Sequence, residues 1–148
     1  MKLTRRTLTH HTKDMDFRYP FKNQTLAEKM LELMDQSHGI GLAATQIGLT
    51  QRIFVMRVHG RERVCINPEI LDSSDVLTEY DEGCLSFPGD QCTIVRPDWV
   101  NVRYQTPQGE VIDDCLVGLE ARCFQHELDH LNGITMWDRH KEQNAKQS

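Results

Sequence analysis

No apolar run in this 148-residue chain approaches the ~20 residues that a membrane-crossing helix needs. That excludes a helical membrane anchor from the reading. The first residues, "MKLTRRTLTHHTKDMDF", are positively charged but have no apolar h-region, so they do not read as a secretory signal. They are acid-poor up to Asp14 but lack a clear amphipathic pattern, which weighs against an organellar presequence. A basic excess is missing as well. Lys and Arg number 17 and Asp and Glu 22, so the net charge is 17 − 22 = −5, which argues against nucleic-acid binding as the main function. The five cysteines contain no C-x-x-C pair and are odd in number, which fits a reduced, cytoplasmic protein better than a disulfide scaffold. Outside a secretory route the sequon Asn23-Gln24-Thr25 carries no glycan.

Internal repeats and low-complexity linkers are also lacking. With 39% hydrophobic and 26% charged residues, the chain has the balance of one globular domain. We place that domain at residues 1–140 and read 141–148, "KEQNAKQS", as a solvated tail. In "TLAEKMLELMDQSHG", Thr25 is placed to N-cap a helix and Glu28 to complete a capping box. Leu26, Met30, Leu33 and Met34 fall on one stripe, and Gly39 suits the stop. "QRIFVMRV" reads as a strand over 51–58, and "RVCINPEIL" as an extended segment broken at Pro68. "DWVNVRY" alternates from Trp99 to Tyr104, turns at "TPQG" and pairs with "EVIDDCLV" as a hairpin. A second helix runs from about Leu119 to Asn132 and stops at Gly133. The order predicts an α+β fold, with antiparallel strands around a central helix and an N-terminal helix before them.

The central helix carries "QHELDHLNG". His126 and His130 lie four residues apart, hence one turn apart on one face, so both imidazoles reach one metal ion. Glu127 stands beside them, close enough to contact a water there. Ala121, Phe124, Leu128 and Leu131 form the opposite, core-facing stripe. Two histidines at this spacing are by themselves more often packed core residues. Glu127 on an otherwise apolar helix favours the metal. Asp129 points off the shared face and reads as a supporting or capping carboxylate.

A catalytic metal site needs three protein ligands and an open position. The spacing that would put a third histidine downstream holds Met136 instead, and the only later glutamate is Glu142 in the tail. The third ligand therefore lies upstream. Two further motifs stand there: "GIGLAATQIG" from Gly39 to Gly48, and "EGCLS" from Glu82 to Ser86. Together with "QHELDH", in this order and over roughly Thr25 to Trp137, they resemble peptide deformylase.

That resemblance implies Cys84 as the third metal ligand, with His126 and His130. A thiol in a Gly-flanked turn, held as thiolate by a divalent ion, agrees with it. The resemblance implies Glu127 as general base and then general acid. It implies the Gln46 side-chain amide and the Leu85 backbone N–H as oxyanion donors. Ile40, Gly41, Leu42 and Gly83 would line the substrate cleft. Ile40, Leu119, Cys123 and the stem of Arg122 would form a pocket for a methionine side chain. Glu82 and Arg96 would pair and brace the Cys84 loop. Cys65, Cys92 and Cys115 read as small buried hydrophobes. The implied reaction removes the N-formyl group from the formylmethionine of nascent polypeptides and releases formate.

A His2Cys donor set suits Zn, Fe(II), Co or Ni; the resemblance implies Fe(II). Two residues depart from the family pattern: Arg122 stands where an apolar pocket residue is usual, and Tyr80 where a rim residue is frequently aliphatic. The chain also ends 15 residues after Gly133, whereas bacterial relatives commonly carry a longer C-terminal helix implicated in ribosome contact. The short C-terminus weakens the case for ribosome docking without removing it. Two other readings use the same residues: a metallopeptidase or other amidase, and a metal- or peptide-binding module without activity. Formate release separates the deformylase from both.

Overall fold

The computed structural model describes residues 2–4 and 11–147. Three helices and seven strands form the α+β arrangement expected from the sequence. Helix α1 spans Pro20–Gln36, β1 Gly41–Ala43, β2 Ile53–Val58, β3 Arg61–Ser73, β4 Leu77–Cys84, β5 Phe87–Pro97, β6 Trp99–Gln105 and β7 Val111–Val117. Helix α2 follows at Gly118–Leu131 and α3 at Met136–Gln147. A 3-10 turn, Ala44–Ile47, continues directly from β1.

Helix α1 begins five residues before the expected Thr25 cap. Pro20 occupies its first turn, where a missing N–H costs nothing and the fixed φ is already helical. Thr25 is thus interior, and its hydroxyl donates back to Phe21 O at 3.0 Å. Ala27, Met30 and Met34 are fully buried against β1 and β2. At the helix end His38, not Gly39, takes the left-handed conformation, with φ 58°.

The main sheet is antiparallel in the order β1-β2-β3-β6-β7, so β1 lies at an edge. Strand β3 continues past Pro68 rather than ending there. A register shift between Ile66 and Glu69 absorbs the proline, and Asn67 takes a positive φ of 51° at the irregularity. Asn67 holds the bend by accepting from Met15 N at 2.8 Å and donating to Met15 O and Gln105 Oε1, each at 3.0 Å.

Helix α2 crosses the sheet, packing on β1, β2, β6 and β7, and every residue from Ala121 to Leu131 is buried. Phe124 meets Phe54 edge-to-face, with ring centroids 5.0 Å apart. Gly118 permits the direct strand-to-helix junction with a left-handed φ of 57°.

Strands β4 and β5 form a separate hairpin whose turn is Leu85-Ser86. Helix α3 covers this hairpin. Met136, at the position where a downstream third histidine would stand, packs with Cys92 and Ile94 in the hairpin's small core. The segment expected to be a solvated tail from residue 141 continues as α3 to Gln147. The Gln143 carboxamide pairs with both backbone groups of Val95 at 2.9 Å each. Its polar composition concealed this, because the contact is made by a hydrogen-bonding side chain and not by an apolar stripe. Cys65 and Cys92 are buried as expected; Cys115 is exposed on edge strand β7. Among the described residues no helix is long and apolar enough to cross a membrane.

Candidate active site

Two elements bring the three predicted metal ligands to one point. Cys84 ends β4 at the hairpin turn, and His126 and His130 project from one face of α2. One donor atom from each lies within 4.8 Å of the others. Cys84 Sγ is 3.8 Å from His130 Nε2. The His126 ring is oriented from behind, with Nδ1 at 2.8 Å from Glu82 Oε1. Glu82 in turn binds Arg96 through two bonds, Nε to Oε2 at 2.5 Å and Nη2 to Oε1 at 2.9 Å. The expected Glu82–Arg96 pair is thus present, and through Glu82 it also reaches the ring of His126.

The electrostatics fit a cation. Burial resists ionisation of the Cys84 thiol, but hydrogen bonds with His126 and His130 overcome it and lower the pKa to about 6. Burial likewise favours a neutral His126, yet Cys84 and Glu82 hold its proton and raise the pKa to about 10. Glu82 stays ionised despite its burial, held at about 2 by His126 and Arg96. Negative charge thus converges on a point between two imidazoles and a thiolate, where a divalent ion would replace the protons the rings otherwise attract. Glu127 Oε1 is buried 3.4 Å from His130 Nδ1, and neither atom has a hydrogen-bond partner among the described residues.

Gln46 reaches the same point from the 3-10 turn. Its Oε1 accepts from Ala43 N at 2.9 Å, which turns Nε2 toward Cys84 Sγ at 3.5 Å and Ser86 Oγ at 3.3 Å. Leu85, between Cys84 and Ser86, is half-buried in the hairpin turn. It lies so close to Gly39 that a Cβ there would stand 2.5 Å from Leu85 Cδ1. A side chain at position 39 would therefore have to displace the side chain of Leu85.

A cleft of about 650 Å³ opens over these groups. Ile40, Gly41 and Gly83 line it, as do Leu119, Arg122 and Cys123, together with Gln46, Leu85, Glu127 and His126. Leu42 does not: its side chain is fully buried in the core, because side chains alternate along β1 and Leu42 faces inward. Arg122 presents more than its stem. The guanidinium stacks 4.3 Å from the Tyr80 ring, donates to Thr78 O and lies 3.4 Å from Glu82 Oε2. The two departures from the family pattern are thus one contact.

Two supporting residues, Ser86 and Arg139, escaped the sequence reading. Ser86, two residues after Cys84, connects Gln46 to the backbone of Thr4, its Oγ accepting from Gln46 Nε2 at 3.3 Å and donating to Thr4 O at 3.2 Å. It was visible as the end of "EGCLS" but had no chemistry to mark it. Asp129, read from the sequence as a supporting or capping carboxylate, bonds Arg96 at 2.9 Å and Arg139 at 2.8 and 3.0 Å. Arg139 had no signal, because its partner belongs to another helix.

Comparison with known proteins agrees with this geometry. The sequence profile described as Polypeptide deformylase matches residues 1–146. The chain is 49% identical over 114 residues to a peptide deformylase of Thermotoga neapolitana, covering 77% of this chain and 70% of that protein. It is 46% identical over 112 residues to one of Thermotoga maritima, covering 76% and 68%. The crystal structure of peptide deformylase from Thermotoga maritima superposes with a TM-score of 0.88 at 39% identity, over 93% of this chain and 95% of that one. That of Arabidopsis thaliana peptide deformylase 1B gives 0.89 at 36% identity, over 99% and 85%. Sequence, fold and site converge: the chain belongs to the polypeptide deformylase family, metal-dependent enzymes that deformylate nascent peptides.

Proposed function

We propose that Cys84, His126 and His130 hold one Fe(II) ion, and that the chain uses it to hydrolyse the formyl amide of N-formylmethionyl peptides in the cytosol. The observation that carries this reading is the convergence of the three donors within 4.8 Å beside Glu127 and Gln46. When bound, the ion supplies Lewis acidity, polarising the formyl oxygen and acidifying water.

The chain's own groups do the rest. Glu127 takes a proton from the attacking water and passes it to the amide nitrogen as the C–N bond breaks, leaving formate and a free amine. Gln46 Nε2 and the Leu85 N–H donate to the oxygen that gains charge as the formyl carbon becomes tetrahedral. The Ala43 bond that locks the Gln46 carboxamide supports this role, because a donor fixed in advance costs no reorganisation. Edge strand β1 offers backbone groups to an extended peptide. Ile40, Leu119 and Cys123 give the first side chain an apolar seat, closed by Arg122 stacked on Tyr80.

Anaerobic purification with metal analysis, followed by formate release from formyl-Met peptides on Fe(II)- and Zn-loaded protein, tests the proposal. Formate release, faster with Fe(II), is expected. Cleavage of internal peptide bonds without formate would refute it.

A further inference from the structure

Four side chains of alternating charge connect α3 to His126, one of the proposed metal ligands. Arg139 donates from Nη2 and Nε to both oxygens of Asp129, at 2.8 and 3.0 Å. Arg96 Nη1 donates to Asp129 Oδ2 at 2.9 Å, and its other two nitrogens bind Glu82. Glu82 Oε1 meets His126 Nδ1 at 2.8 Å. Asp129, Arg96, Glu82 and His126 are all buried, and Arg139 is half-buried. Charges held out of water depend on their partners, so removing one disturbs the next. A second set of contacts ties α3 to the strand that carries Arg96. Gln143 pairs with both backbone groups of Val95, and His140 Nδ1 lies 2.9 Å from Thr93 O. Arg122 also approaches Glu82, but at the other oxygen and at 3.4 Å.

We infer that α3 is a positioning element of the metal centre: Arg139, through Asp129 and Arg96, holds Glu82 on Nδ1 of His126 and thereby aims Nε2 of that ring. The inference rests on the reading that Cys84, His126 and His130 bind a metal ion. Bidentate pairing at Asp129 makes Arg139 a directional restraint and not only a nearby positive charge. Groups that orient a metal-bound histidine in this way change metal affinity by about 10–100-fold when lost.

Co(II) is the probe, because its visible absorption reports ligand geometry without turnover. Arg139→Ala is expected to weaken Co(II) binding by about tenfold or more and to shift the absorption bands. Arg139→Lys should recover part of both. Gln143→Ala, which loosens α3 without touching the charge chain, should lower the melting temperature while leaving Co(II) affinity and bands as in the parent protein. If Arg139→Ala does not fold, Arg139→Gln replaces it in the same comparison. Unchanged affinity and bands in the Arg139 variants overturn the inference, and so does an equal change in Gln143→Ala. Formate release by the unsubstituted protein is read separately. Its absence would sink the deformylase reading and leave the Co(II) comparison standing as the test of α3.

Discussion

Glu127 and Gly41 compete for one small volume. A Cβ built on Gly41 would fall on the Glu127 carboxylate and lie 2.9 Å from Cys123 Sγ. Real Cβ atoms essentially never approach so closely, so Gly41→Ala must push the carboxylate aside. We expect this variant to lose about 10²-fold or more in kcat, since small misplacements of a positioned group cost that much, while its metal content stays near one ion per chain. Steady-state formate release and metal analysis check both. Glu127→Gln keeps the shape and removes the base. Its kcat should fall about 10²–10⁴-fold with metal retained; activity within a few-fold of the parent protein would disprove the general-base role. At this scale the sequence was unevenly legible. His126, Glu127 and His130 were readable because one helical turn enforces their proximity. Cys84 and Gln46 were found by motif likeness, since their meeting with α2 depends on tertiary folding. Leu42 was misassigned because a motif reports neighbours in sequence, while the pleat decides which of them faces the cleft.

The elements divide along the same line. Helix α2 and the β6–β7 hairpin were legible because local periodicity and turn residues determine them. The start of α1 was misread because Thr25 and Glu28 imitate a cap, whereas Pro20 begins the helix without one. The β4–β5 hairpin and α3 were not read as elements; each is stabilised by the other, through Met136 against Ile94 and Gln143 against Val95. Helix α2 also places chemistry and stability on one element. Phe124 is fully buried, edge-to-face with Phe54 and tilted against Tyr104 at 6.3 Å between centroids. Phe124→Ala should therefore cost about 3–5 kcal/mol. The measurement is urea unfolding of the metal-loaded protein. A loss below about 1 kcal/mol would mean that the core under α2 repacks freely.

For the whole molecule, the metal ion should act as a clamp across the fold. Its three proposed ligands come from the separate β4–β5 hairpin and from α2, which is seated on the main sheet. An ion bound at that junction ties the hairpin to the body of the domain, and unfolding must release it. A ligand that binds only the folded state stabilises by RT ln(1 + [L]/Kd), about 4 kcal/mol when free metal is 1,000 times Kd. In a domain of this size that corresponds to roughly 8–16 °C in melting temperature. Chelation should thus lower the melting temperature by about that amount, and adding Zn or Co(II) to the stripped protein should restore it. Cys84→Ser gives the control: it removes the one ligand on the hairpin, so the variant should melt at nearly the same temperature with and without metal. An unsubstituted protein whose melting temperature ignores metal, or a Cys84→Ser variant that responds as fully as its parent, would show that the ion does not join the hairpin to α2.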